Sequence, residues 1–277
     1  MGMPHLRSVA LDLPNETQFP FSVPVIRALG TLDVDHPVTC LVGENGSGKS
    51  TLLEALALAA KLPTVGSARG DRDATLEAQR RLAKRLKLTW RARSFRGFFL
   101  RAEDFFGFTK SLATERAEYL QRLRDIDVEY ENRSPRAKGL AALPMRKALA
   151  DMEHRYGVDL DANSHGQSFL KLFQSRFVPG GLYVLDEPEA PLSPQSQLAL
   201  IAMIGDMLAQ DAQFIIATHS PILLGFPDAA IYTCDRVPIE RVAYDELDHV
   251  VITREFLNDR ERFLRHLNLS SRAKRGI

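Results

Sequence analysis

A chain of 277 residues with 45% hydrophobic side chains can fill one large core or two small ones. Its 36 Lys and Arg against 35 Asp and Glu leave a net charge of +1, so bulk electrostatics points to no polyanionic or polycationic partner. The two cysteines, Cys40 and Cys234, are too far apart for a metal-spaced pair and fit buried reduced thiols, and no stretch approaches the roughly 18 consecutive apolar residues of a membrane helix.

The first residues, MGMPHLRSVALDLP, lack the long apolar core and small-residue cleavage site of a signal peptide, so a cytoplasmic protein is expected. Residues 6–13 alternate loosely and predict a strand. A second strand is expected within 22–34, in a region punctuated by Pro14, Pro20, Pro24 and Pro37. Phe19 and Phe21 are each candidates to stack on a purine, and each fits a core position equally well.

The apolar run Val38-Thr39-Cys40-Leu41-Val42 predicts a buried strand, and residues 52–59 predict a helix. Between them lies Gly43-Glu44-Asn45-Gly46-Ser47-Gly48-Lys49-Ser50-Thr51. Strand, Gly-rich loop, Gly-Lys-Ser and helix form a phosphate-binding loop in its proper context. The glycines let backbone N–H groups close round an anion, and the helix N-terminus adds free donors and a positive dipole end. Lys49 is expected to reach the β- and γ-phosphates of a nucleotide, and the Ser50 hydroxyl to ligate Mg²⁺.

Residues 63–73 predict a charged loop, and 74–88 a helix with Leu76, Leu82, Ala83 and Leu86 on an apolar side. Its arginines and lysines read as a solvated face, with nucleic acid as the less common alternative. Residues 95–106 are expected to begin as a strand and end in a polar turn. Helices follow over 111–132 and 143–156, joined by a loop at Ser134–Gly139. In the second, Met145, Leu149, Met152 and Tyr156 form one helical stripe that suits a core. Ser164-His165-Gly166-Gln167-Ser168 opens another helix, where a Ser and a Gly can cap the first turn or grip an anion.

Residues 181–186 predict an apolar strand that delivers Asp186 and Glu187 at its C-terminal end, where open α/β sheets bind ligands. Asp186 can hold Mg²⁺, and Glu187 can act as general base on an attacking water. Ser193 and Pro194 start a helix as N-cap and first-turn residue, with Leu198, Ile201, Gly205 and Leu208 expected on one face. Gln213–Ala217 is a further buried strand, and it delivers His219 to the edge that carries Asp186. From that position His219 can contact a γ-phosphate. Another strand is expected at 229–233, then a strand or turn and a helix within 240–268, and a frayed basic terminus at 270–277.

The order of these motifs resembles that of an ABC-type ATPase head. GENGSGKST looks like a Walker A motif, SHGQS like the signature, LYVLDEPE like Walker B with its glutamate, EAPLSP like the D-loop, and ATHSP like the switch histidine. SHG, FFLRAEDFF and TREFLNDRERFL resemble the small predicted-ATPase branch of the AAA/ABC superfamily. The resemblance implies an α/β P-loop NTPase core with a mixed sheet, one domain over 1–277, and a mainly helical insertion and signature subdomain over about 64–175. It implies ATP and Mg²⁺ as ligands, with Lys49 and Gly43–Thr51 as triphosphate cradle, and Ser50 and Asp186 on the metal. Glu187 resembles the base and His219 the γ-phosphate switch. Ser164, Gly166 and Gln167 resemble the signature that closes over ATP on a second subunit, which implies a head-to-tail homodimer. The family's Q-loop glutamine has no match here, and Glu103 is the candidate in its place, able to hold Mg²⁺ or its water. His165 replaces a usual Gly, and the D-loop lacks its terminal acid.

A Mg-dependent ATPase that works a partner is the leading reading, with nucleic-acid maintenance or defence as its setting. The alternative is the nucleotide-binding subunit of a membrane transporter. The missing Q-loop Gln argues against that alternative, because this segment meets the membrane subunit in transporters. About 110 residues separate Walker A from the signature, too few for the long coiled-coil arm of a chromosome-associated head at roughly 1.5 Å per helical residue.

Overall fold

The computed structural model describes residues 5–65, 77–156 and 165–266. In chain order the elements are β1 (Leu6–Leu11), α1 (Pro24–Arg27), β2 (Thr31–Asp33), β3 (Val38–Val42), α2 (Lys49–Ala60) and β4 (Thr64–Val65). Next come α3 (Glu77–Ala83), β5 (Leu86–Trp90), β6 (Gly97–Arg101), α4 (Ala102–Glu129), α5 (Pro135–Tyr156) and α6 (His165–Arg176). The chain continues with β7 (Leu182–Asp186), α7 (Pro194–Leu208), β8 (Gln213–Ala217), α8 (Pro221–Leu224), β9 (Ala230–Thr233), β10 (Glu240–Arg241), α9 (Asp248–Asn258) and α10 (Arg260–His266).

A seven-stranded sheet runs in the order β10-β9-β3-β8-β7-β6-β4. Its strands are parallel except β10, which pairs antiparallel with β9. The central strands β3, β7 and β8 are buried at every residue, as parallel strands covered on both faces must be. Alternate residues feed two cores: Tyr183 and Leu185 join one, Leu182 and Val184 the other. The first core holds an aromatic cluster in which Phe98, Phe173, Phe177, Tyr183 and Phe214 meet edge-on or stacked. The second packs α2 and the N-terminal segment.

A three-stranded antiparallel sheet, β2-β1-β5, stands beside the large one. Gln213, fully buried at the start of β8, ties the two together. Its amide oxygen accepts from the N–H groups of His5 (3.0 Å) and Leu6 (2.8 Å), and its amide nitrogen donates to the carbonyls of Leu6 (2.9 Å) and Val34 (2.7 Å). A buried amide with this many partners fixes one register between the sheets.

Several local expectations change. The helix expected over 74–88 ends at Ala83, and Leu86–Trp90 is strand β5, paired antiparallel with β1. The alternation Leu86-Lys87-Leu88-Thr89-Trp90 fits that half-buried pairing, which overrides the helix propensity of Leu and Lys. Helix α4 starts directly at Ala102 where a turn was expected, with Glu103 and Asp104 favouring its positive end. The expected loop at 134–139 is the first turn of α5: Pro135 leads the helix and Ser134 Oγ accepts from the Ala137 N–H at 3.2 Å. Helix α7 begins as expected, Ser193 Oγ accepting from Ser196 N–H at 3.2 Å. It buries Leu200, Ile204, Met207 and Leu208, while Leu198 is 59% exposed. Both stripes have helical spacing, and only the sheet beneath selects one. Of the basic residues over 74–88, Arg81 pairs with Glu16 and Lys87 with Asp12. The stretches 66–73 and 270–277 lie outside the described residues.

A candidate nucleotide site at the carboxyl edge of the sheet

Parallel pairing brings the ends of β3, β7, β8 and β9 to one edge. Leu41 and Asp186 both lie in register with Ala217, and Val42 with Thr233. The ladder continues past the strand ends: Glu187 N–H donates to Ala217 O (2.9 Å), Thr218 N–H to Leu41 O (3.1 Å), and Cys234 N–H to Val42 O (2.7 Å). The loops after these strands therefore start from a rigid base.

Gly43 to Thr51 form the loop from β3 into α2, with the helix starting at Lys49. Gly48 has φ +102°, and a Cβ there would meet Val23 and Val25 Cγ1 at 2.8 Å each. Only glycine lets the loop lie this close to the segment that carries α1. Glu44, Asn45 and Gly46 face solvent, and the Ser47 N–H donates to Glu44 O at 3.1 Å. Lys49 is 4% exposed, and its ammonium donates to Gly43 O (2.5 Å) and Glu44 O (3.0 Å). That holds its charge inside the loop.

Asp186 closes β7 at 3% exposure, next to Ser50. Burial pushes its carboxyl up to about 6, against the pull of a Ser50 hydrogen bond and of Arg101, while Glu187 and Glu54 raise it further. Its Oδ1 is buried without a hydrogen-bond partner among the described residues. A buried carboxylate oxygen left open beside a hydroxyl is a donor set for a hard divalent cation. Among the described residues no group of three His, Cys, Asp or Glu forms a metal cage. One carboxylate beside one hydroxyl is a donor set that fits Mg²⁺, which takes one or two protein oxygens and completes its shell with phosphate and water.

Glu187 follows with φ +51°, a left-handed backbone that costs a non-glycine residue about 1–2 kcal/mol and is retained where a site demands the orientation. Its Oε1 lies 3.6 Å from His219 Nε2. Glu189, a third acid of the same turn, accepts from the His219 N–H at 2.7 Å and so anchors the histidine's loop to that of β7.

The remaining expected residues fall in two places. Glu103 is on the first turn of α4, exposed, with its carboxylate held 2.7 Å from Arg101 Nη2. Gly166 is buried in the first turn of α6, where a Cβ would come within 3.1 Å of Pro191 O, and Gln167 is exposed beside it. Helix α6 packs on α5 and α7, whereas α2 packs on α3 and the sheet. Ser164 lies outside the described residues. Of the two aromatics, Phe21 is a core residue at 1% exposure and Phe19 is 48% exposed.

Sequence reasoning passed over three groups at this edge. Arg101 ends β6 in register with Asp186 and forms an ion pair with Glu54 of α2, Nη1 to Oε1 2.7 Å. Asp235, just past β9, accepts from the Glu44 N–H of the phosphate loop at 2.6 Å. A charged residue ending an apolar strand was the available signal for Arg101, and an acid just past a strand end was the signal for Asp235.

Residues 38–159 and 169–225, more than half of the chain, match the profile of the family described as "AAA domain, putative AbiEii toxin, Type IV TA system". The ribose import ATP-binding protein RbsA 2 of Burkholderia cenocepacia is 25% identical over 232 residues, 79% of this chain and 40% of that protein. The chain thus spans about two fifths of that relative's length. The cobalt import ATP-binding protein CbiO of Salmonella typhimurium is 29% identical over 212 residues, 76% of this chain and 71% of that protein. A solved ATP-binding cassette of an ABC transporter, in its ADP conformation, aligns with a TM-score of 0.45 at 18% identity, covering 92% of this chain and 98% of the other.

Proposed function

The chain belongs to that AAA-domain family of ABC-type P-loop ATPases, and we propose that it binds and hydrolyses ATP with Mg²⁺ and uses ATP-driven head-to-tail dimerisation to work a partner. One observation carries the reading: the Lys49 loop, Asp186, Glu187 and His219 share the carboxyl edge of one parallel sheet.

Each group has a task that its placement suits. The loop N–H groups and the N-terminus of α2 bind the phosphates, and Lys49 exchanges its loop carbonyls for phosphate oxygens. Ser50 and Asp186 would hold Mg²⁺, which would supply charge neutralisation at the transferred phosphoryl group. Glu187 accepts the proton of the attacking water, and His219, whose Nε2 lies 3.6 Å from that carboxylate, donates toward the γ-phosphate oxygens. Gly166 and Gln167 lie on α6 beside Pro191, where they would serve a second copy's nucleotide. Helices α4 and α5, which lie between β6 and α6, are the part we assign to partner contact.

The family description names a putative toxin of a type IV TA system, which supports defence as the setting. A second reading, the ATP-binding subunit of an importer, is supported by the names of the two relatives. Among the described residues no helix is long and apolar enough to cross a membrane.

Sedimentation of Glu187→Gln with and without Mg-ATP tests the proposal, with short duplex DNA in a parallel cell. A dimer that forms only with ATP is expected, and a monomer under all conditions would remove the sandwich mechanism. Co-sedimenting DNA would favour a nucleic-acid role, and co-purification of a membrane protein would favour the importer.

A further inference from the structure

The guanidinium of Arg101 gathers carboxylates from three elements. Nη1 is 2.7 Å from Glu54 Oε1 on α2, Nη2 is 2.7 Å from Glu103 Oε2 on α4, and Nε is 4.0 Å from Asp186 Oδ2 at the end of β7. The Glu54 and Asp186 side chains are only 6% and 4% exposed, so water screens them little. One cation therefore serves three acids beside the phosphate loop. Asp186 Oδ1 keeps no partner among the described residues. The planar fork is what allows three simultaneous directions, which an ammonium on a flexible stem does not reproduce.

We propose that Arg101 is a positioning residue of the nucleotide site, a resident cation that holds Glu54, Glu103 and Asp186 and lets the site accept a triphosphate before a metal ion is present. This rests on the reading of the site as one for ATP and Mg²⁺. A triphosphate entering beside three unpaired carboxylates meets like charge, and Arg101 offsets part of that repulsion. When the metal is present it supplies the same neutralisation, and the arginine matters less. Loss of Arg101 should therefore weaken metal-free binding far more than Mg-dependent binding. A purely structural arginine would weaken both alike.

The test is equilibrium titration of the whole protein with a fluorescent ATP analogue, in excess Mg²⁺ and in EDTA. The readout is the ratio of the dissociation constant in EDTA to that in Mg²⁺. Arg101→Gln is expected to raise that ratio about tenfold over wild type, and Arg101→Lys, which keeps the charge, to stay within about threefold. Arg101→Gln leaves the buried Glu54 without its partner; if that variant does not fold, Glu54→Gln, which removes one acid and leaves the whole charge of Arg101 to the other two, is expected to lower the same ratio about threefold. An unchanged ratio in Arg101→Gln or in Glu54→Gln, or a wild type that binds only with Mg²⁺, overturns the proposal. A wild type that binds the analogue under neither condition overturns the nucleotide reading itself, and this inference with it.

Discussion

The Glu187 carboxylate and the His219 imidazole stand 3.6 Å apart across the ends of two adjacent parallel strands, β7 and β8. Neither strand alone makes this pair. Register makes it, because Asp186 lies opposite Ala217 and each chain then runs on past the sheet edge. Replacing His219 by Ala should remove one aimed donor while leaving the phosphate loop intact. Turnover is expected to fall about 100-fold, with nucleotide affinity changed less than about threefold. Steady-state hydrolysis beside equilibrium binding checks this, and an equal loss in both would assign His219 to binding.

Lys49 keeps its ammonium on Gly43 O and Glu44 O at 4% exposure, so the charge is placed before any nucleotide arrives. Lys49→Ala should weaken nucleotide binding by at least about tenfold, the worth of a charge-assisted hydrogen bond or more. Titration with the same fluorescent analogue measures it. Unchanged affinity would take the phosphate loop out of the mechanism.

Asp186 makes stability depend on pH in the metal-free protein. Burial raises its carboxyl from 3.8 to about 6, so the folded state binds the proton more tightly than the unfolded chain. Its contribution is therefore full below about pH 4 and is lost as pH rises through about 6, a change of about 3 kcal/mol. Asp186→Asn should be more stable than wild type in EDTA at pH 7.5, with the advantage shrinking toward pH 4. Urea denaturation at both pH values reads the difference. A constant difference would mean that Asp186 does not titrate in this window.

Gly97 opens β6 at φ +113°, and a Cβ there would fall 1.8 Å from the Leu182 carbonyl oxygen of β7. Gly97 and Leu182 are register partners, so neither strand can yield without losing the pairing that sets Arg101 against Asp186. Gly97→Ala is expected to cost more than about 4 kcal/mol and to leave little folded protein. Circular dichroism with urea titration tests this. A variant of near-wild-type stability would show that β6 can shift along β7.

Much of the sheet edge was legible along the chain. The Gly-rich loop between an apolar run and a helix, the Asp186-Glu187 pair after a second apolar run, and His219 after a third are each local patterns, set by side-chain chemistry within a few residues. The roles proposed for them rest on that order. The N-cap at Ser193 was equally local. The remainder depends on which strands are neighbours. Strand β5 was hidden because its partner β1 lies some 80 residues earlier, and an alternating pentapeptide becomes a strand only when that edge is offered. The buried stripe of α7 was chosen by the sheet beneath it, since two stripes had helical spacing. The Arg101 cluster needed β6 beside β7 and α2 above them, with Glu54 arriving from 47 residues away. Asp235 meets Glu44 across 191 residues for the same reason. Charge and hydrogen bonding act through space, and a chain read along its length shows only the distances that its own backbone sets.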